Sequence, residues 1–446
     1  MRKIPACSLL SLISILFVAS SNANAQAYNV TALKSIPPYY WTTPLGLNAS
    51  GEVVGASTKE AFGVEPQAGV AFQGLAFHWT KTTGIQSLGS GFASSINNSG
   101  DIAGFSPTQN HAFLWKHDGT TQDLGALDGS SSEALAINTG DGIVGDSLVA
   151  GSTGSSVTHA FLWTPQGGMQ DLGTLQQGDY FTTARGINDS GQVVGWSEGT
   201  EFDGAFSWTQ SGGMEEIAQD AYADSINNSG VIAGYGPCSS ASPCHAGFWE
   251  GGTLHDLGTL GGGTQSRAYA INGSGTVVGF STTTTAENSP VHAFVWTATA
   301  GMQDLNLLVP ANIQQKFVLQ TGVAVNHAGQ IAVQAYPLTG TRITYGFLLS
   351  PQMNVALSSS QNPSVVGQTV TFTAKITSIA GHPPNGEGVT FRNGATVLGT
   401  ANLKGGVATF ETSTLTQATH TITATYAGDA NYASAKSAVL SQVVDK

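Results

Sequence analysis

A hydrophobic–Asn–x–x–Gly turn followed by a short apolar run recurs seven times in this 446-residue chain. It is written LNASGEVVG, INNSGDIAG, INTGDGIVG, INDSGQVVG, INNSGVIAG, INGSGTVVG and VNHAGQIAV, with asparagines Asn48, Asn97, Asn138, Asn188, Asn227, Asn272 and Asn326. The mean interval is about 46 residues, and a period of roughly 40–50 marks a propeller or solenoid array. Asn and Gly tolerate positive φ, so each copy reads as a tight hairpin between two apolar strands.

Two further pieces follow each turn in fixed order: HAFLW or a variant, then GMQDLGTL or a variant. In His159–Trp163, His, Phe and Trp fall on one side of a strand and Ala and Leu on the other, so both faces are largely apolar. Such a strand belongs between stacked sheets. The third piece is another short strand, which makes four strands per repeat: inner, second, third and outer. Four antiparallel strands at this period describe a β-propeller blade. Helical periodicity is absent outside the N-terminal segment.

Residues 1–25 read as a secretory signal peptide. Arg2 and Lys3 precede an apolar stretch over residues 9–18, and Ala23-Asn24-Ala25 is an A-x-A cleavage signal, so the mature chain should begin at Gln26. The apolar stretch is too short to span a membrane. YNVTAL, residues 28–33, sits where an outer strand would sit, whereas the last repeat stops at YGFLL, residues 345–349, without one. The expectation is a seven-bladed ring over residues 26–351, closed by pairing residues 28–33 with 345–349. A six-bladed ring or an open array is the alternative. Length varies between second and third strands, at residues 57–74, 106–110, 147–158, 197–203, 236–244 and 281–291. Insertions gathered on one face mark a binding face.

After Pro351 the pattern changes. Residues 353–446 carry short alternating strands punctuated by Asn-Pro, Pro-Pro-Asn-Gly, Asn-Gly and Gly-Gly, the signature of an immunoglobulin-like sandwich. The whole is an all-β chain, and its 57 glycines suit many tight turns. Charged residues make up 10% and the net charge is −13, which argues against nucleic acid or anionic lipid as partner. Losing Cys7 with the signal leaves Cys238 and Cys244, read as a disulfide in an oxidising compartment. With His245 alone beside them they are one ligand short of a zinc site.

INDSGQVVG, HAFLWTPQGGMQDLGTL and HDLGTLGGGTQSRAYAIN resemble the HAF-repeat family of bacterial extracellular proteins. The His-Ala-Phe stands here at His111, His159 and His292. The resemblance spans residues 28–349 and implies an exported, propeller-like protein without a defined activity. The chain departs from the pattern at Leu75, Gly204 and Tyr345, where His is missing, and at Gly247 and Leu349. TYAGDANY, residues 425–432, resembles the last turn of bacterial Ig-like repeat domains of cell-surface proteins and adhesins.

The recurring residues read as structural. His111, His159, His245 and His292 lie on different repeats, too far apart to share a metal, and suit hydrogen bonds to Asp123, Asp171, Asp256 and Asp304. Trp115, Trp163, Trp249 and Trp296, with Trp79 and Trp208, read as packing residues. GTLGGGT at 258–264 lacks the P-loop lysine, and the turns lack a calcium-loop pattern. GWSEG at 195–199 spells G-x-S-x-G but precedes no helix. Asp146, Glu198, Glu201 and Asp203 lie in or beside the variable loops, yet nothing specifies an acid–base pair. No catalytic, cofactor or metal residue is therefore assigned. The expectation is a non-enzymatic, secreted binding or adhesion protein whose ligand, a surface glycan or an extracellular protein, sits on the variable-loop face. The alternatives are a propeller glycoside hydrolase and a purely structural surface component.

Overall fold

The computed structural model describes residues 27–59, 74–150, 156–200, 203–238, 244–286, 289–340, 343–429 and 432–446. The signal segment, Glu201 and parts of five variable loops lie outside them. The described chain is all-β. A 3₁₀ turn at Leu305–Leu307 and a four-residue helix at Ala311–Gln314 interrupt it, too short to leave a periodic trace in sequence.

Each repeat forms four antiparallel strands in sequence order. The first unit is Trp41–Leu47, Val53–Thr58, Gly74–Thr80 and Gly84–Ser90. Five further units follow, the third and fourth joined by one parallel bridge between Thr158 and Phe181. The seventh is completed by the start of the chain. Tyr28–Leu33 pairs antiparallel with Tyr345–Pro351, from Tyr28 opposite Pro351 to Leu33 opposite Gly346. Burial follows strand position: the second strands are nearly solvent-free, and the outer strands, such as Thr121–Asp123, are exposed.

Cores form between consecutive sheets. Leu114 of the second unit clusters with Ile143, Phe161 and Trp163 of the third, and Val144 of the third with Val193, Phe206 and Trp208 of the fourth. Leu33 and Leu348 of the seventh sheet cluster with Val53, Phe77 and Trp79 of the first. Burying an apolar face against the next unit supplies the main stabilisation. Five of the repeat tryptophans are buried, while Trp296 is half-buried against Phe248.

The asparagine does something the sequence reading missed. It does not take positive φ. That falls to the third residue after it, Gly51, Gly100, Gly191, Gly230, Gly275, Gly329 and, in the third repeat, Asp141. Asn188 Oδ1 instead accepts the N–H groups of Ser190 and Gln192, stapling the turn. Its Nδ2 donates to the carbonyl of Asn227 in the next sheet at 3.3 Å. The same link runs Asn48 to Asn97, Asn97 to Asn138, Asn138 to Asn188, Asn227 to Asn272 and Asn272 to Asn326. Asn326 Nδ2 donates back to the Asn48 carbonyl at 3.0 Å.

The glycine of the VVG run has a separate cause. Every inner strand carries a β-bulge three residues before its asparagine, at Leu45, Ser94, Leu135, Arg185, Asp224, Tyr269 and Val323. The bulge drives an inner-strand carbonyl onto the facing second strand. A Cβ at Gly55, Gly104, Gly145, Gly195, Gly234 or Gly279 would overlap that oxygen. The seventh sheet has Val333 there and places Gly322 opposite on the inner strand, with a second register shift.

His111, His159, His245 and His292 each bond through Nδ1 to Asp123, Asp171, Asp256 and Asp304, at 2.9, 3.0, 3.1 and 2.7 Å. Each aspartate also accepts an N–H two residues on, so third strand, outer strand and the turn beyond are clasped together. Where His is lost, at Leu75 and Gly204, the aspartate is lost too, replaced by Ser87 and Glu216. Three of the aspartates are well exposed, but the Asp304 side chain is only 15% so. Exposed pairs are worth roughly 0–1 kcal/mol. A double-mutant cycle on His159–Asp171 should therefore give about 0.5 kcal/mol and one on His292–Asp304 clearly more. Burial opposes the Asp304 charge, yet the bonds from His292 and Asn306 hold its carboxyl below the ordinary range. Its stabilisation is present above the unfolded value near pH 4 and is lost as pH falls through the folded one. Acid titration of thermal stability should flatten in Asp304→Asn.

Residues 354–446 form a separate two-sheet sandwich. One sheet holds Asn354–Ser359, Val370–Thr377 and Val407–Thr412. The other is built around Ala418–Tyr426, flanked by Gly388–Asn393 and Leu440–Asp445. Phe372, Ile376, Phe391 and Ile422 are fully buried between them, with no cysteine needed.

Candidate functional site

Inner strands begin, and second strands end, at the end of each unit that carries the variable loops. Three positions of each unit recur there: the bulge, the residue two before it, and the residue after the VVG glycine. In units seven, one and two they are Val323, Thr321 and Gln334, then Leu45, Thr43 and Ala56, then Ser94, Phe92 and Phe105. None is charged. In units three to six they are Leu135, Glu133 and Asp146, then Arg185, Thr183 and Trp196, then Asp224, Tyr222 and Tyr235, then Tyr269, Arg267 and Phe280.

These side chains form one continuous wall. Thr183 Oγ1 donates to Asp146 Oδ2 at 2.7 Å. Trp196, cross-strand from Thr183, packs on Tyr222 with ring centres 4.8 Å apart, and Tyr222 stacks on Tyr235 at 4.7 Å. The Arg267 guanidinium lies 4.6 Å from the Tyr235 ring centre and 4.9 Å from that of Tyr269. It forks onto buried Asp224 with bonds of 2.8 and 2.6 Å. Each Asp224 oxygen accepts one bond from Arg267, and Arg185 Nε makes a longer ion pair with Oδ1 at 3.8 Å. Arg185 makes no hydrogen bond among the described residues and its side chain is 36% exposed. Trp196 Nε1 is likewise unpartnered.

Burial pushes the Asp146 carboxyl up to about 6, against the opposing pull of the Thr183 bond and the Arg185 charge. The folded state thus favours the protonated acid. Its contribution to stability is full below about pH 4 and is lost as pH rises through 6, by at most about 3 kcal/mol. Asp146→Asn keeps an acceptor for Thr183. It should melt higher than the parent at pH 8 and equally at pH 4, read by intrinsic tryptophan fluorescence. All eight tryptophans lie in the repeat region, so that signal reports it alone.

Of the four acids marked in sequence, Asp146 joins this wall and Asp203 touches it, accepting the Tyr222 hydroxyl at 2.8 Å. Glu198 is the cross-strand partner of Asp203; burial and that neighbouring charge both raise its carboxyl. Glu201 lies outside the described residues. Ser197 of GWSEG is buried within a strand, bonded to Thr182 and Asp179, and is no nucleophile elbow. Cys238 and Cys244 are disulfide-bonded, with Cα atoms 4.7 Å apart. Among the described residues no group of three metal-ligating side chains converges, and no helix is long and apolar enough to cross a membrane. An open groove between Leu162, Gln192 and Trp208 lies at the asparagine-turn end and carries no charged group.

The sequence reading placed binding on the loops and passed over Arg185, Trp196, Tyr222, Asp224, Tyr235, Arg267 and Tyr269. The signal was present. Aligned by their asparagines, the bulge positions read Leu, Ser, Leu, Arg, Asp, Tyr, Val, and the charges stand out.

Residues 357–445 match the family described as bacterial Ig-like domain (group 3). The fold and this match define an all-β protein ending in a bacterial Ig-like module. The match covers that module alone, and no HAF-repeat family matches the repeats. No curated protein matches the chain. Two crystal structures of the extracellular domain of BT4673 from B. thetaiotaomicron, described as a one-component and as a hybrid two-component system, are similar at 10% identity. The first covers 82% of this chain and 71% of its own with a TM-score of 0.21; for the second the values are 93%, 76% and 0.20. At such scores neither bears on function here.

Proposed function

We propose that this chain is a secreted, non-enzymatic binding protein of the bacterial surface or extracellular space. In this reading the seven units form a closed seven-bladed β-propeller. The wall of units three to six lines one side of its channel mouth and takes the ligand, and the Ig-like module is a spacer or second contact. Closure is supported by the asparagine bonds that return from Asn326 to Asn48 and by the strand that residues 28–33 lend to the last sheet. The Ig-like module and the signal-like N-terminus support export. The observation carrying the reading is the uneven chemistry of these three recurring positions: none is charged in units seven, one and two, and at least one is charged in each of the consecutive units three to six.

The test is binding of the purified mature chain to bacterial envelope and matrix fractions. Saturable binding that falls with Tyr222→Ala and survives Tyr40→Ala, at the 65%-exposed loop end of the first unit, is expected. Binding that survives Tyr222→Ala overturns the placement. A hydrolase is the second reading, favoured by the raised carboxyls of Asp146 and Glu198, which suit a general acid. Turnover of bound polysaccharide, abolished in Asp146→Asn, would establish it instead.

A further inference from the structure

We infer that the wall around Arg185 recognises an uncharged saccharide, through hydroxyl groups bonded to Arg185 and Asp146 and a sugar face laid on the aromatic residues beside them. This rests on the binding reading above and names its ligand class.

The first argument is hydrogen-bond capacity. A guanidinium has five N–H donors, and Arg185 satisfies none of them among the described residues. Arg267 occupies both oxygens of Asp224, and the field of that carboxylate holds Arg185 in place without consuming its donors. Trp196 Nε1 is also without a partner but is buried, so Trp196 offers its ring and not its N–H. Asp146 accepts from Thr183 through Oδ2, which leaves Oδ1 as an acceptor. Unused donors and an acceptor in one wall match a group that both gives and takes hydrogen bonds. A hydroxyl does both, whereas a carboxylate only accepts and an ammonium only donates.

The second argument is charge. Both charge signs are present in the wall: Arg185 and Arg267 stand with the carboxyls of Glu133, Asp146 and Asp224, and Asp203 touches it at Tyr222. Asp146 is faced by Glu133 on the paired strand and by Thr183 and Arg185 on the next unit. An anion would meet the carboxylates, and a cation would meet Arg185, whose hydrogen-bond donors are unused. A neutral ligand meets neither penalty. The half-buried rings of Trp196, Tyr222 and Tyr269 add apolar surface with polar edges, suited to the mixed faces of a pyranose.

The experiment is calorimetric titration of the full mature chain with neutral manno-, malto- and cello-oligosaccharides, an oligogalacturonate and a chitosan oligomer. Binding of a neutral oligosaccharide in preference to the acidic and basic ones is expected. Arg185→Met should weaken it about tenfold or more, the loss of one hydrogen bond to a charged group. Its melting temperature should fall by no more than a few degrees, because Arg185 is partly exposed and makes no hydrogen bond, and its ion pair with Asp224 is long at 3.8 Å. Arg185→Lys should recover part of the affinity. Three results would each overturn the inference: no neutral oligosaccharide bound at millimolar concentration, neutral binding indifferent to Arg185→Met, or preference for the charged oligomers. If envelope binding persists while every saccharide fails, the ligand class alone is wrong. If envelope binding fails as well, the binding reading falls with it.

Discussion

Gly195→Ala should destabilise the repeat region by about 3 kcal/mol, at the upper end of what overpacking costs. The added Cβ would overlap the Thr183 carbonyl, which the bulge at Arg185 pushes onto this strand, and it would also press the Phe206 ring at 2.9 Å. Neither neighbour can yield freely. The carbonyl belongs to a paired strand, and Phe206 is fully buried. The measurement is urea unfolding followed by tryptophan fluorescence. An Ala substitution at Gly191, where the neighbourhood is open but φ is +81°, separates the two effects: there only backbone strain of roughly 1 kcal/mol should appear. A Gly195→Ala variant as stable as its parent would mean that the bulge is not rigid.

The second large effect is expected at the asparagine bonds. Asn188 is 3% exposed and uses both ends of its amide: Oδ1 on the turn, Nδ2 on the next unit. Asn188→Asp keeps the turn bonds but sets a carboxylate oxygen against the Asn227 carbonyl in a buried site. A loss of about 3 kcal/mol or more is expected at neutral pH, the penalty of an uncompensated buried charge. The new carboxyl has a raised folded pKa, so stability should recover as pH falls and the acid becomes a donor to that same carbonyl. Asn326→Asp, at the bond joining the last unit to the first, should lose as much as Asn188→Asp if the seven units form a ring. In an open array the terminal link would matter far less.

The parts of the fold that rest on local physics were legible in the sequence. All-β content, four strands per repeat and the C-terminal Ig-like module follow from alternation, turn residues and period. The spare strand at residues 28–33 was legible as well, because an unpaired sheet edge needs a partner. The role of Asn188 was half legible. Its turn bonds are local, but its bond to Asn227 joins residues 39 apart, and no window of sequence reveals it. The same holds for Gly195, which looks like a turn glycine and is instead forced by a carbonyl on the facing strand.

The candidate site was the least legible part. Arg185, Asp224 and Arg267 are scattered over some 80 residues, and each looks like an isolated charge among small residues. What joins them is the repeat geometry, which sets equivalent positions of consecutive units side by side, and the bulge, which displaces one residue per inner strand. The sequence by itself determined the strands, turns, repeat and the presence of the Ig-like module, because those depend on periodicity and backbone preference over a few residues. Only the tertiary structure decided which asparagine meets which carbonyl, where glycine is obligatory, and that Arg267 takes the close bonds to Asp224 and leaves the Arg185 donors unused. Those depend on contacts between units distant in sequence, where a few tenths of an ångström separate a hydrogen bond from a clash.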